Sequence, residues 1–215
     1  MSLEHEQSGR VRPYFSDFPL QVLARPRDGG GFDVSGDMNG DDETVGCYAN
    51  SVTALVDAIQ MERAGRPGFG CGDAGTFDRH LFHSRDGKSL IANVRIGWPV
   101  HRRKIILRPG LGFATITKRL RQRVPDDGAP LSFEVDEDAF AWLDAIHERA
   151  GLYAWRETAR AALSWNADRM TKAALRALES IEVTVCDASR CDEVALFDPE
   201  SEQWHFVPAK EFLIR

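Results

Sequence analysis

The sequence predicts an α+β fold, mainly antiparallel sheet with three to five helices and a C-terminal antiparallel meander. Three observations predict it. Strand-like and helix-like stretches do not alternate regularly, which disfavours a doubly wound parallel sheet. Asp-Gly stands between two apolar runs at Arg85-Asp86-Gly87-Lys88, a strong hairpin signal. From Ile181 onward every apolar run has strand length and strand spacing.

Taken in order, Pro19 to Ala24 and Gly31 to Ser35 read as short strands around the turn Asp28-Gly29-Gly30. A polar stretch from Gly36 to Glu43 reads as a solvated acidic loop. Val52, Leu55, Val56 and Ile59 recur at helical spacing, with Asn50 or Ser51 to cap the helix and Gly65 to end it. Arg66 to Gly75 is glycine-rich and reads as loop.

Phe77 to His83 and Leu90 to Ile96 form the arms of the predicted hairpin, and Pro99 separates it from a third strand, His101 to Arg108. Pro109-Gly110-Leu111-Gly112 then turns into a helix with Phe113, Ile116, Leu120 and Val124 inward, stopped by Pro125. Leu131 to Val135 reads as a strand. Asp136-Glu137-Asp138 opens the next helix with acids at the positive end of its dipole, and Gly151 closes it. Phe140, Leu143, Ile146 and His147 form its inner face.

Tyr153 to Glu179 is one long helix or two broken near Asn166. The strands Ile181 to Cys186, Val194 to Phe197, Trp204 to Val207 and Phe212 to Ile214 complete the chain, with a turn at Asp198-Pro199-Glu200-Ser201. The chain reads as a single α+β domain over 1–215. Were it to divide, 125–130 is the place, giving a basic-faced half (13–125) and a helical plus meander half (131–215).

Composition is that of an ordinary globular protein: 43 % hydrophobic and 28 % charged residues. Only the first dozen residues lack any apolar pattern and read as disordered. No apolar run approaches the ~20 residues that span a bilayer, and Met1 to Arg10 do not resemble a signal peptide. The expected location is cytoplasmic, with Cys47, Cys71, Cys186 and Cys191 as reduced thiols.

Charge is segregated. Ten of the 27 basic residues fall between Gly87 and Pro125 without a single acid, leaving 17 against 33 acids elsewhere. Asp28 to Glu62 and Asp126 to Glu148 each carry eight acids and no lysine or arginine. On the predicted strand, Arg102, Lys104 and Arg108 share a side with Ile106. On the predicted helix, Lys118, Arg119 and Arg121 point away from the apolar sector. A four-residue turn joins the two elements, so the six cations would merge into one surface. That surface is the expected site for an anionic macromolecule, a nucleic acid or a nucleoprotein complex, bound without catalysis. Internal pairing of the same cations with the acidic segments is the competing reading, and the overall acidity counts against a general nucleic-acid binder.

Two other functions stay open. The acidic stretch Asp33 to Glu43 and the five tryptophans, Trp98, Trp142, Trp155, Trp165 and Trp204, would suit a protein–protein module that inhibits or scaffolds a partner. Cys71, in a glycine-rich loop ahead of His80 and His83, would suit a cysteine-dependent hydrolase, with His80 or His83 as the base.

Remaining motifs fall short. Gly110-Leu111-Gly112 lacks the third glycine of a dinucleotide fingerprint, and no Walker lysine follows. Cys186 and Cys191 make half a zinc site at best. As a calcium loop, Asp37-Met38-Asn39-Gly40-Asp41 fails because Asp42 takes the required glycine position and Tyr48 the bidentate glutamate position. No cofactor or metal is expected, and the oligomeric state is not legible.

Overall fold

The computed structural model describes residues 18–39, 42–110, 112–124 and 137–211, with the backbone alone for Met38, Asn39, Asp42 and Glu211. The expected strands at Leu131 to Val135 and Phe212 to Ile214, the N-terminal tail and the 125–130 boundary lie outside these residues. Within them the fold is α+β: four α-helices and a mixed, mostly antiparallel sheet of eleven strands. Among the described residues no helix is long and apolar enough to cross a membrane.

The strands are β1 (Gln21–Pro26), β2 (Phe32–Val34), β3 (Gly36–Asn39), β4 (Asp42–Tyr48), β5 (Gly70–Asp73), β6 (Ser89–His101), β7 (Lys104–Leu107), β8 (Ile116–Arg123), β9 (Glu182–Val185), β10 (Glu193–Asp198) and β11 (Gln203–Pro208). The helices are α1 (Ser51–Arg63), α2 (Glu137–Arg149), α3 (Trp155–Ala162) and α4 (Ala167–Glu179).

β6 organises the sheet. Its first part lies between β4, paired in parallel, and β8, paired antiparallel from Ser89↔Arg123 to Gly97↔Ile116. Its last residues pair with β10 and β7. Alternate side chains leave opposite faces. Leu90, Ala92, Val94 and Ile96 join the core built with Leu143 and Ile146 of α2 and Trp155 of α3. Arg95 leaves the other face, toward α1.

Asn50 caps α1, its Oδ1 accepting from Val52 N at 2.7 Å, and Gly65 (φ 80°) ends it. Val52 and Val56 then meet the alanine face of α4, Ala173, Ala174 and Ala177. The region after Tyr153 is indeed two helices, with Asn166 capping the second through Arg169 N at 2.9 Å.

Several expectations are corrected. The polar stretch expected as a loop is strand at Gly36–Asn39 and again from Asp42: β3 pairs with β4, and Thr44 Oγ1 donates to Asp37 O at 3.1 Å. The glycine-rich stretch supplies β5, which pairs with β1 because extended backbone needs no side chain to form a ladder. The first arm of the Asp86-Gly87 hairpin is mainly tight turns. Just before it Asp73 Oδ1 accepts from Gly75 N, and within it Asp78 Oδ1 accepts from His80 N, so the short acids compete with the ladder.

Pro99 does not end β6. β8 pairs with β6 as far as Gly97 and β7 pairs with it from Val100, so on that flank no ladder bond is asked of the proline. The expected strand His101 to Arg108 is broken by a two-residue turn at Arg102 and Arg103, with φ of 52° and 64°. The expected helix from Phe113 to Val124 is strand β8. Ile116 and Leu120, four apart, satisfy both periods, and the adjacent β-branched Thr115, Ile116 and Thr117 favour the extended form beside β6.

Candidate anion-binding groove

With β8 a strand, the six cations of the expected site divide. Lys118 shares a face with Ile116 and Leu120 and lies 5.8 Å from the centre of the Trp142 ring. Arg119 and Arg121 are exposed on the opposite face. Arg102 and Lys104 sit at the far end of β6, roughly 40 Å of extended strand from Ser89 at ~3.3 Å per residue. Lys104 Nζ is 2.5 Å from Glu182 Oε2 and Arg108 Nη1 is 2.7 Å from Asp37 Oδ1. The single merged surface therefore does not form.

A different basic surface does. A groove of about 550 Å³ is lined by Arg25, Arg27, Arg66 and Arg85 with His80 and His83, against the acids Asp33 and Glu43. β1 and the turn after it carry Arg25 and Arg27, the connection after α1 carries Arg66, and the tight turns before β6 carry the histidines and Arg85. Arg85 also lines an adjoining hollow of about 410 Å³ together with Ser84, Asp86 and Arg121. Arg66 lines a third, of about 310 Å³, with Arg108. The cations of the groove and of the Arg85–Arg121 hollow thus come from four separate segments, while Arg95 and Arg108 of the third hollow are matched by Asp57 and Asp37.

Local interactions hold them. Asp33 pairs with both Arg27 and Arg25, whose hydrogen bonds keep its carboxyl below the usual range. Phe69 lies under two guanidinium groups, 5.1 Å from Arg25 and 5.6 Å from Arg66. Arg121 Nε donates to Ser89 Oγ at 3.1 Å. Burial first, then the neighbouring His80 and Arg79, pull the pKa of His83 down. Phe32 stands in the same groove, 51 % exposed, its ring edge-on to Phe77 at 5.6 Å.

The other expected sites are placed as follows. Burial pushes the Cys71 thiol up to about 12, and its Sγ donates to Gln21 Oε1 at 3.4 Å, opposite to what a thiolate nucleophile requires. His80 packs against His83, ring centres 5.2 Å apart. Within the acidic stretch, Asp33 and Asp37 are held by arginines, while Asp41 lies outside the described residues. Trp98 and Trp155 are buried.

Linear charge counting missed Arg25, Arg27, Arg66, Arg85, His83 and Phe32 as a group, because they are separated by acids and glycines in the chain. Strand pairing sets Arg25 beside the β2 hairpin that carries Phe32, and the connections after α1 and before β6 add Arg66, His83 and Arg85. No family model, no curated protein and no solved structure matches the chain, so the reading of this groove rests on its own residues.

Proposed function

We propose that the protein binds single-stranded nucleic acid along this groove, without catalysis. The observation that carries the reading is an exposed aromatic ring, Phe32, among four arginines. Single strands are bound by a positive groove that tracks phosphates and aromatic rings on which bases stack. Duplex recognition would ask for an element that enters a groove of the duplex, and Phe32 offers a face to an unpaired base instead. The net charge of −6 is compatible, since the groove's own lining holds four arginines and two histidines against Asp33 and Glu43.

The test is fluorescence anisotropy with a labelled oligothymidylate of about twenty nucleotides, titrated at several salt concentrations. Affinity should fall with salt, the logarithmic slope being about 0.7 for each phosphate that the protein neutralises. Arg66→Glu with Arg85→Glu should weaken binding at least tenfold and flatten that slope. Phe32→Ala should weaken it about fivefold or more, the loss of one stacked base. Lys172→Glu, on the exposed side of α4 and paired with Asp168, should leave it unchanged. Absence of binding at about 20 mM salt, or equal losses in Lys172→Glu, overturns the reading.

A further inference from the structure

A second concavity shares no lining residue with the groove. It lies between α2, α3 and the strands β6 and β10, with a volume of about 210 Å³. Its inner wall is aromatic and apolar: Trp98, Trp155, Phe197 and His147, backed by Leu143 and Leu196. His147 stacks on Trp155, ring centres 4.4 Å apart and planes 18° from parallel. Its Nδ1 is 2.7 Å from Leu143 O. A carbonyl oxygen only accepts, so Nδ1 carries the hydrogen and the neutral ring keeps a lone pair on Nε2.

The rim has the opposite character. Asp198, the last residue of β10, and Glu200, in the turn to β11, line it. Tyr153, 78 % exposed in the connection between α2 and α3, lines it too. Asp198 accepts from Glu200 N, Ser201 N and Ser201 Oγ, and Glu200 Oε2 accepts from Thr158 Oγ1. Those neutral donors leave both negative charges in place. Arg95 is the one lysine or arginine among the described lining residues, and its guanidinium already faces Asp57 and Asp37.

An aromatic wall under a doubly acidic rim selects a ligand by shape and by charge. We propose that this cavity binds a small planar aromatic molecule bearing a protonated amine, its ring against Trp155 and His147 and its ammonium between Asp198 and Glu200. A cavity of about 150 Å³ accepts benzene, so the larger volume here suits one or two fused rings. Tyr153 supplies a further face over the ring or the cation.

The probe is 2-naphthylmethylamine at pH 7, compared with the anionic isostere 2-naphthoate and neutral 2-naphthol. Binding is followed by the indole N–H resonances of Trp98 and Trp155. The amine should shift both and bind at least tenfold more tightly than naphthoate. Glu200→Gln should weaken the amine about fivefold and leave naphthol unchanged. Tyr153→Ala, at an exposed position, should weaken both amine and naphthol. Thr158→Trp should narrow the rim and abolish binding while far-UV dichroism stays native. Equal affinity for amine and naphthoate, an unaltered amine affinity in Glu200→Gln, or no indole shift at millimolar amine overturns the proposal.

Discussion

Arg95 Nη1 donates to Asp57 Oδ2 at 3.0 Å, in an ion pair whose side chains are 10 % and 4 % exposed. Tyr48 Oη donates to the same oxygen at 2.7 Å, and Trp98 Nε1 donates to Oδ1 at 2.7 Å. α1 is thereby tied to β4 and to β6. Arg95 also approaches Asp37 Oδ2 at 3.6 Å, and burial pushes the Tyr48 phenol well above its ordinary range. Removing the Asp57 carboxylate leaves the buried guanidinium with the more distant Asp37 as its one remaining counter-charge among the described ion pairs. Asp57→Asn should therefore lower stability by about 3–5 kcal/mol, read as a fall in the urea midpoint at unchanged m. Tyr48→Phe should cost only about 0.5–1.5 kcal/mol. Equal losses in the two variants would sink the account.

Gly46 lies across the ladder from Asn93 and beneath the Arg95 side chain. A Cβ there would stand 2.7 Å from Arg95 Nε and 3.0 Å from Nη2. The guanidinium is the end of a long side chain, but Asp57 and Asp37 pin it. Gly46→Ala should destabilise by about 1–3 kcal/mol, the usual range for overpacking. Thermal unfolding of the variant checks this; an unchanged midpoint would show that the guanidinium moves freely.

Arg102 and Arg103 form a two-residue hairpin turn in the left-handed region, where asparagine and glycine are the common choices. Asp192 accepts from Arg102 N at 3.2 Å, and Arg103 lies 4.3 Å from the centre of the Phe206 ring. The turn is held by its neighbours rather than by its residue types. Arg102→Gly relieves one left-handed side chain and keeps the backbone bond to Asp192. After the extra unfolded-state freedom of glycine is subtracted, it should stabilise by about 0.5–1 kcal/mol. A lower melting temperature in this variant would contradict the argument.

His147 sets a pH dependence. Burial pushes its pKa down from 6.5 to about 4. The unfolded chain therefore takes up this proton at a higher pH than the folded one. Stability from His147 is complete above pH 6.5 and is lost as pH falls toward 4. His147→Gln should remove part of the acid-side loss of stability between those values, measured by urea unfolding at stepped pH. The carboxylates Asp33, Asp37, Asp86, Glu182 and Asp187, all held below their ordinary values, act in the same direction at lower pH.

Much of the fold was legible from residue types. Asn50 and Gly65 bracket α1 because a cap side chain and a left-handed glycine act locally. Asn166 divides α3 from α4 for the same reason. The α+β class followed from the uneven order of strands and helices. What failed locally was β8: two apolar residues four apart cannot distinguish a helix from a strand, and the open edge of β6 decided the matter. That reversal moved Lys118 to the face opposite Arg119 and Arg121, while ion pairs took Lys104 and Arg108 out of the cluster.

The sequence by itself determined the inventory: a segregated set of cations, a cap at each end of α1, and thiols without a metal pattern. Tertiary structure decided which charges meet, because pairing across strands matched Lys104 to Glu182 and Arg108 to Asp37 over long sequence separations. It also assembled Arg25, Arg66, Arg85 and Phe32 from segments far apart in the chain. Electrostatic energy depends on distance in space and on exposure to water, and neither is a property of position along a polymer.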